Sequence, residues 1–144
     1  MNEYKIKTGF NRMDIQSVHY FISIESYWAQ GIPYEIVEKS LRNSFCIGVF
    51  DSDDKQIAFA RIISDRATYG YLSDVFVLKQ YRGDGISKIL MEHITKLKWV
   101  KQLRRLMLFT EDAQELYARY GFKNIIHPEK FMEITHINMY RKTV

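Results

Sequence analysis

Two glycines spaced by one residue, Gly83 and Gly85, stand between an apolar run and a helical pattern that begins at Ile86. A strand-to-helix turn leaves the first N–H groups of the helix without acceptors. With the helix dipole, these groups suit phosphate oxygens. Arg82 adds positive charge at the turn, and Ser87 offers a hydroxyl in the first helical turn. A plain tight turn would need the same glycines, so the pair alone leaves both readings open. A P-loop needs G-x-x-x-x-G-K-[ST], and a dinucleotide fold needs a third glycine where Lys88 stands, so neither motif is present. Upstream, Asp74 is an acid inside an otherwise apolar strand, a costly position unless the group is paired or functional. The four histidines, His19, His93, His127 and His136, show no metal-ligand spacing, and Cys46 is the one cysteine, so no metal is expected. Cys46 lies in the apolar run FCIGVF, which favours a core thiol and excludes an intrachain disulfide.

These residues need elements to position them. A 144-residue chain that is 47% apolar suffices for one domain, and no linker, repeat or low-complexity stretch divides it. The pattern predicts a first strand near 4–8, a helix capped by Asp14 with Ile15, Val18, Phe21 and Ile22 on one face, and a second helix after Pro33. Strands follow at 45–50, 56–64 and 69–78, linked by short DSDD and DRAT turns that favour an antiparallel meander. Ile86, Ile89, Leu90, Ile94 and Leu97 line a long helix, RLMLF at 105–109 is a buried strand, and a shorter helix in EDAQELYARYGF stops at Gly121. Strand-like segments near Ile125 and at 131–139 close the chain.

The turn, Gln80-Tyr81-Arg82-Gly83-Asp84-Gly85, resembles the acetyl-CoA signature [Q/R]-x-x-G-x-[G/A] of the GCN5-related N-acetyltransferase (GNAT) family. DVFVLKQYRG is similar to the family's D-L-x-V-x-P-x-Y-R-G, with Lys79 in place of proline, and DAQELYARYGF is similar to A-x-x-L-Y-x-x-x-G-F. The resemblance covers about residues 4–136 in layout and 70–122 in motif residues. It implies an α/β (α+β) fold with a mixed, twisted sheet of six to seven strands, the fourth and fifth splayed apart, flanked by about four helices. It implies transfer of an acetyl group from acetyl-CoA to a primary amine in a ternary complex. Gln80, Arg82, Gly83, Asp84 and Gly85, with Ile86, Ser87 and Lys88, would then cradle the CoA pyrophosphate. Val75, Phe76 and Val77 would pair their backbone with the pantetheine arm, while their side chains pack as an ordinary core strand.

In this resemblance Tyr117 is the general acid for the departing thiolate; without it, Tyr117 is simply the inner face of a helix. Asp74 is the leading candidate for the base, with a structural role equally open and Glu25 or deprotonation in bulk water as alternatives. An asparagine often found three residues before the motif alanine is Thr110 here, with Asp112 nearby to compensate. Glu25, Tyr27 and Trp28, between the first two helices, would suit an amine with an apolar body; a lid over the core explains them as well.

The charge of +4 fits an anionic small molecule or a weak encounter with nucleic acid. KLKWVKQLRR at 96–105 is more simply a solvated helix end, so no nucleic-acid partner is expected. A non-catalytic acyl-CoA sensor or basic nucleic-acid module is the rival class. No signal-like N-terminus and no apolar run of roughly 20 residues is present, so a cytoplasmic protein without a membrane partner is the default expectation. Acceptor identity and oligomeric state, a homodimer included, are left open.

Overall fold

The computed structural model describes residues 3–141. Its sheet has five strands: β1 (Lys5–Thr8), β2 (Phe45–Phe50), β3 (Gln56–Ser64), β4 (Tyr69–Val77) and β5 (Arg105–Leu108), hydrogen-bonded in that order. Neighbouring pairs are antiparallel except β4 and β5, which are parallel. The parallel pair needs a crossover, supplied by α3 (Ile86–Lys96) and the short α4 (Lys98–Lys101).

On one face α3 buries Ile86, Leu90, Met91 and Ile94 against Ile47, Val49, Ile57, Ile62 and Leu72. The opposite face is covered by α1 (Ile15–Tyr20) and α2 (Tyr34–Arg42), which bury Val18, Val37 and Leu41 with Phe50, Phe59 and Phe76. Asp14 caps α1 by accepting from the Ser17 N–H at 3.2 Å. The helix then continues into a π-helical turn, Phe21–Glu25, so the predicted apolar face extends past the α-helix itself. Pro33 stands at the N-cap of α2. Cys46 is fully buried, and its Sγ donates to the Leu41 carbonyl. In the basic run, Val100 is buried and Trp99 packs edge-on against Phe45.

The last helix, α5 (Gln114–Ala118), ends at Gly121, whose φ is +97°. Beyond it the expectation of two further strands is not met. Residues 123–141 hold one short 3-10 turn, Pro128–Lys130, and no strand, so the sheet has five strands rather than six to seven. The β pattern is present in FMEITHINM, but among the described residues this arm pairs with no strand. Met132, Ile134 and Ile137 are 97%, 93% and 82% exposed. Each such side chain forgoes about 1.5–3 kcal/mol of burial while it stays in water.

Candidate active site

The fourth strand is where the regular sheet breaks. Phe59 pairs with Phe76, but Arg61 pairs with Ser73, so Asp74 and Val75 together oppose Ala60 in a β-bulge. Asp74 takes φ +53°, a left-handed conformation that few residues other than glycine, asparagine and aspartate adopt readily. On the other edge of β4, pairing with β5 stops at Leu72–Leu108. The bulge therefore begins where the neighbouring strand departs, and the backbone of Val75, Phe76 and Val77 lies past the end of the parallel ladder. The side chains of Phe76 and Val77 serve the core on opposite faces, with Phe76 stacked on Phe21 at 4.0 Å between ring centroids. The one signal of this bulge in the sequence was the acid within the apolar run.

Asp74 is held from two sides. Arg61 Nε donates to its Oδ2 at 2.6 Å, while Trp28 Nε1 donates to its Oδ1 at 2.7 Å. Arg61 also donates from Nη1 to Ser44 Oγ. The Asp74 side chain is 9% exposed and that of Arg61 14%, so the pair is mostly removed from water. Trp28 in turn packs edge-on against Tyr27 at 5.0 Å, and the Glu111 N–H donates to the Tyr27 hydroxyl at 3.3 Å. The loop carrying Tyr27 and Trp28 is thus tied to the bulge on one side and to the approach to α5 on the other. Glu25 is exposed at the end of the π-helical turn.

Tyr117 projects from α5 into the core, is 8% exposed, and packs edge-on against Phe122 at 5.8 Å. Burial pushes its phenol up to about 12, and the nearby Tyr27 and Asp112 add to the rise. Thr110 caps this end of the chain: its Oγ1 accepts from the Ala113 N–H at 3.1 Å.

At the far end of β4 the chain makes a 3-10 turn, Lys79–Tyr81, and reaches α3 through Gly83 and Gly85 at φ +90° and +78°. The first backbone bond of α3 runs from the Ile89 N–H to the Gly85 carbonyl, so the N–H groups of Ile86, Ser87 and Lys88 precede the helical ladder. Gly85 is the N-cap and has no side chain to satisfy them. A Cβ built on Gly83 or Gly85 would meet nothing within 4 Å, so the turn opens onto free space. Gln80, Arg82, Asp84 and Lys88 are exposed around it. Arg82 Nε donates to the Val77 carbonyl at 3.2 Å, which draws the turn back to the strand. Tyr81 braces the turn from below by donating to Asp51 Oδ2 at 2.9 Å, a tie to the β2–β3 loop that sequence reasoning missed. Lys88 leans toward Glu92, leaving its backbone N–H as its contribution to the turn.

A cavity of about 210 Å³ lies between the Tyr27–Gln30 segment and the C-terminal arm, lined by Tyr27, Trp28, Gln30, Thr135, His136 and Met139 among others. Among the described residues no group of three or more His, Cys, Asp or Glu side chains is placed to share a metal ion, and no helix is long and apolar enough to cross a membrane.

A family model described as an acetyltransferase (GNAT) domain matches residues 43–124, more than half of the chain. The crystal structure of a GNAT-family protein from Xanthomonas campestris pv. campestris is 41% identical, with a TM-score of 0.94 over 99% of each chain. A protein of Gibberella zeae with the provisional name acetyltransferase is 24% identical and aligns with 81% of this chain and 77% of its own length. A Clostridium acetobutylicum acetyltransferase solved with acetyl-CoA shares the fold, with a TM-score of 0.69 at 16% identity over 94% of this chain and 96% of that one. The bulged, splayed strand, the glycine turn that follows it and the matched span coincide in one stretch of sequence: the chain belongs to the GNAT acetyltransferase family.

Proposed function

We propose that the protein transfers the acetyl group of acetyl-CoA to a primary amine, by direct attack while both are bound. The observation that carries this reading is the β4 edge from Val75 to Val77, released from β5 and running from the bulge into the open glycine turn. An extended chain ending in a diphosphate matches that surface: backbone groups along the strand pair with its amides, and the helix end receives its charge. Acetyl-CoA supplies the activated thioester. Ile86, Ser87 and Lys88 N–H groups, with Arg82 at the rim, hold the diphosphate, and Gln80 and Asp84 shape the turn.

Tyr117 supplies the proton at its Oη for the leaving sulfur. A phenol raised to about 12 remains protonated throughout the neutral range, as a donor must. The burial that raises the phenol also raises the proton affinity of a thiolate formed beside it, so the two stay matched. Asp74, with both oxygens accepting from Arg61 and Trp28, positions the bulge rather than abstracting a proton. The acceptor ammonium gives one proton to water before attack; as the C–N bond forms and the C–S bond breaks, Tyr117 protonates the sulfur and the second nitrogen proton passes through water to restore the phenol. Glu25, Tyr27 and Trp28 face the acceptor side, where an aromatic pair and a carboxylate suit a cation with an apolar body.

Calorimetric titration with acetyl-CoA, followed by thiol release across a panel of primary amines, tests this reading. Saturable binding with amine-dependent release is expected. Absence of binding sinks the proposal; binding without release on any amine favours the acyl-CoA sensor.

A further inference from the structure

We propose that Trp28 is a positioning residue for the transfer: through Asp74 on one side and the Phe21 ring on the other, it fixes the backbone around Val75 that receives the thioester. This role rests on the acetyltransferase reading. Val75 stands in the bulge, past the last β4–β5 pair, with Asp74 before it and Phe76 after it. A segment with a bulge toward one neighbour and no neighbour on its other edge has lost ladder bonds that keep a strand in shape. Other contacts must hold its peptide groups still, and Trp28 reaches both residues that flank Val75.

The first route is polar. Trp28 Nε1 donates to Asp74 Oδ1 at 2.7 Å, where the backbone keeps its left-handed φ of +53°. Arg61 Nε holds the other oxygen at 2.6 Å and is itself anchored by donating from Nη1 to Ser44 Oγ at 3.0 Å, so the carboxylate is gripped from both sides. The second route is apolar. The Trp28 ring is tilted against Phe21 with centroids 6.2 Å apart, Phe21 is stacked on Phe76 at 4.0 Å, and Phe76 meets Phe59 of β3 at 5.8 Å. One indole therefore braces the strand on either side of Val75.

The indole can do this because its own loop is built to hold still. The Ser26 N–H closes the π-helical turn by donating to the Phe21 carbonyl at 2.9 Å. The buried Ser26 hydroxyl donates to the Ile22 carbonyl and accepts from the Ala29 N–H at 3.4 Å. The Gly31 N–H returns to the Ser23 carbonyl at 3.0 Å, and His19 Nε2 donates to the Ile32 carbonyl at 2.9 Å. Trp28 is nonetheless 42% exposed and lines the cavity beside Tyr27, so the residue that orients the thioester is also one the acceptor meets. As the amine adds, the carbonyl oxygen gathers negative charge, and a backbone donor held in place stabilises that charge without reorganising.

Difference infrared spectroscopy of acetyl-CoA isotope-labelled at the acetyl carbonyl carbon, bound with no amine present, reads the polarisation directly. The carbonyl stretch in the wild type is expected below that of free acetyl-CoA. In Trp28→Phe, which keeps a ring against Phe21 and loses the N–H donor, it should move back toward the free value. Acetyl-CoA Kd should stay within about twofold, and kcat should fall roughly 10-fold. Asp74→Asn, from the other end of the bond, should give the same shift, because its single remaining acceptor goes to the guanidinium. Either variant decides if circular dichroism shows the other unfolded. Adding Trp28→Phe to Asp74→Asn should lower kcat by less than about twofold further, since both break one bond. A stretch unchanged in folded Trp28→Phe, with only the amine KM raised, makes Trp28 a wall of the acceptor site and overturns the proposal, as does a wild-type stretch equal to the free value. A wild type that binds no acetyl-CoA overturns the acetyltransferase reading itself, and the role of Trp28 with it.

Discussion

Asp74 is a residue whose type leaves its role open, and its hydrogen-bond partners support the reading proposed for it. An acid in an apolar strand fits a general base or a structural anchor equally well, and the difference lies in what its oxygens touch. Here both accept hydrogen bonds, one from a guanidinium and one from an indole, and the backbone sits at φ +53°. Asp74→Asn removes the charge and one of the two acceptors while sparing the backbone, because asparagine tolerates the left-handed conformation as aspartate does. Removing the charge leaves Arg61 mostly buried without its counterion, and a loss of about 2 kcal/mol in urea denaturation is expected. In turnover, kcat/KM should fall while the lower limb of the pH–rate profile keeps its midpoint; a limb that flattens would restore Asp74 as the base. Tyr117→Phe should lower kcat by about 10- to 100-fold with little change in acetyl-CoA affinity, in the range for loss of a positioned acid. Unchanged turnover would remove Tyr117 from the chemistry.

At the scale of elements, the strand β4, its bulge and the turn before α3 form a single device. The strand leaves β5 at Leu72, bulges at Asp74–Val75, and delivers the chain to an uncapped helix end. Gly83 and Gly85 matter here through backbone conformation, since neither is crowded. Replacing either with alanine should cost about 1–2 kcal/mol in stability, the penalty of a left-handed L-residue. If the turn relaxes instead, the orphan N–H groups lose their alignment, and the acetyl-CoA Kd should rise about tenfold by calorimetry. The turn between β3 and β4 is a simpler case. Asp65 accepts from the Ala67 and Thr68 N–H groups and from the Thr68 hydroxyl, bonds that hold its carboxyl well below the usual range. Asp65→Ala should lower the Tm without altering acetyl-CoA affinity, because this loop lies at the opposite end of β4 from the glycine turn.

For the whole molecule, burial ties folding to alkaline pH. The core thiol of Cys46 is pushed up to about 11 and the Tyr117 phenol to about 12, in both cases chiefly by removal from water. Both groups hold their protons more tightly when folded than when unfolded. Their contribution to stability is therefore complete below the ordinary values of 9.0 and 10.0 and is lost as pH rises through the folded ones. Tm should fall progressively above about pH 9, and the double variant Cys46→Ala with Tyr117→Phe should show a shallower decline, followed by differential scanning calorimetry.

Local signals determined most of the fold by themselves. The apolar periods of α1, α2 and α3, the apolar runs of β2 to β4 between short turns, the cap at Asp14 and the glycines that end or begin helices all depend on near neighbours in the chain, and these elements formed near where their patterns predicted, α1 running on into its π-helical turn. Family membership was legible for the same reason, since the signature residues sit together in one strand, turn and helix. Tertiary structure decided what depends on distant partners. It joined Asp74 to Arg61 and Trp28, linked the Tyr27 hydroxyl to the Glu111 N–H before α5, and tied Tyr81 to Asp51. It also kept the 131–139 segment out of its own sheet despite a strand-like sequence, because a β pattern states what a segment would bury and not which edge will receive it.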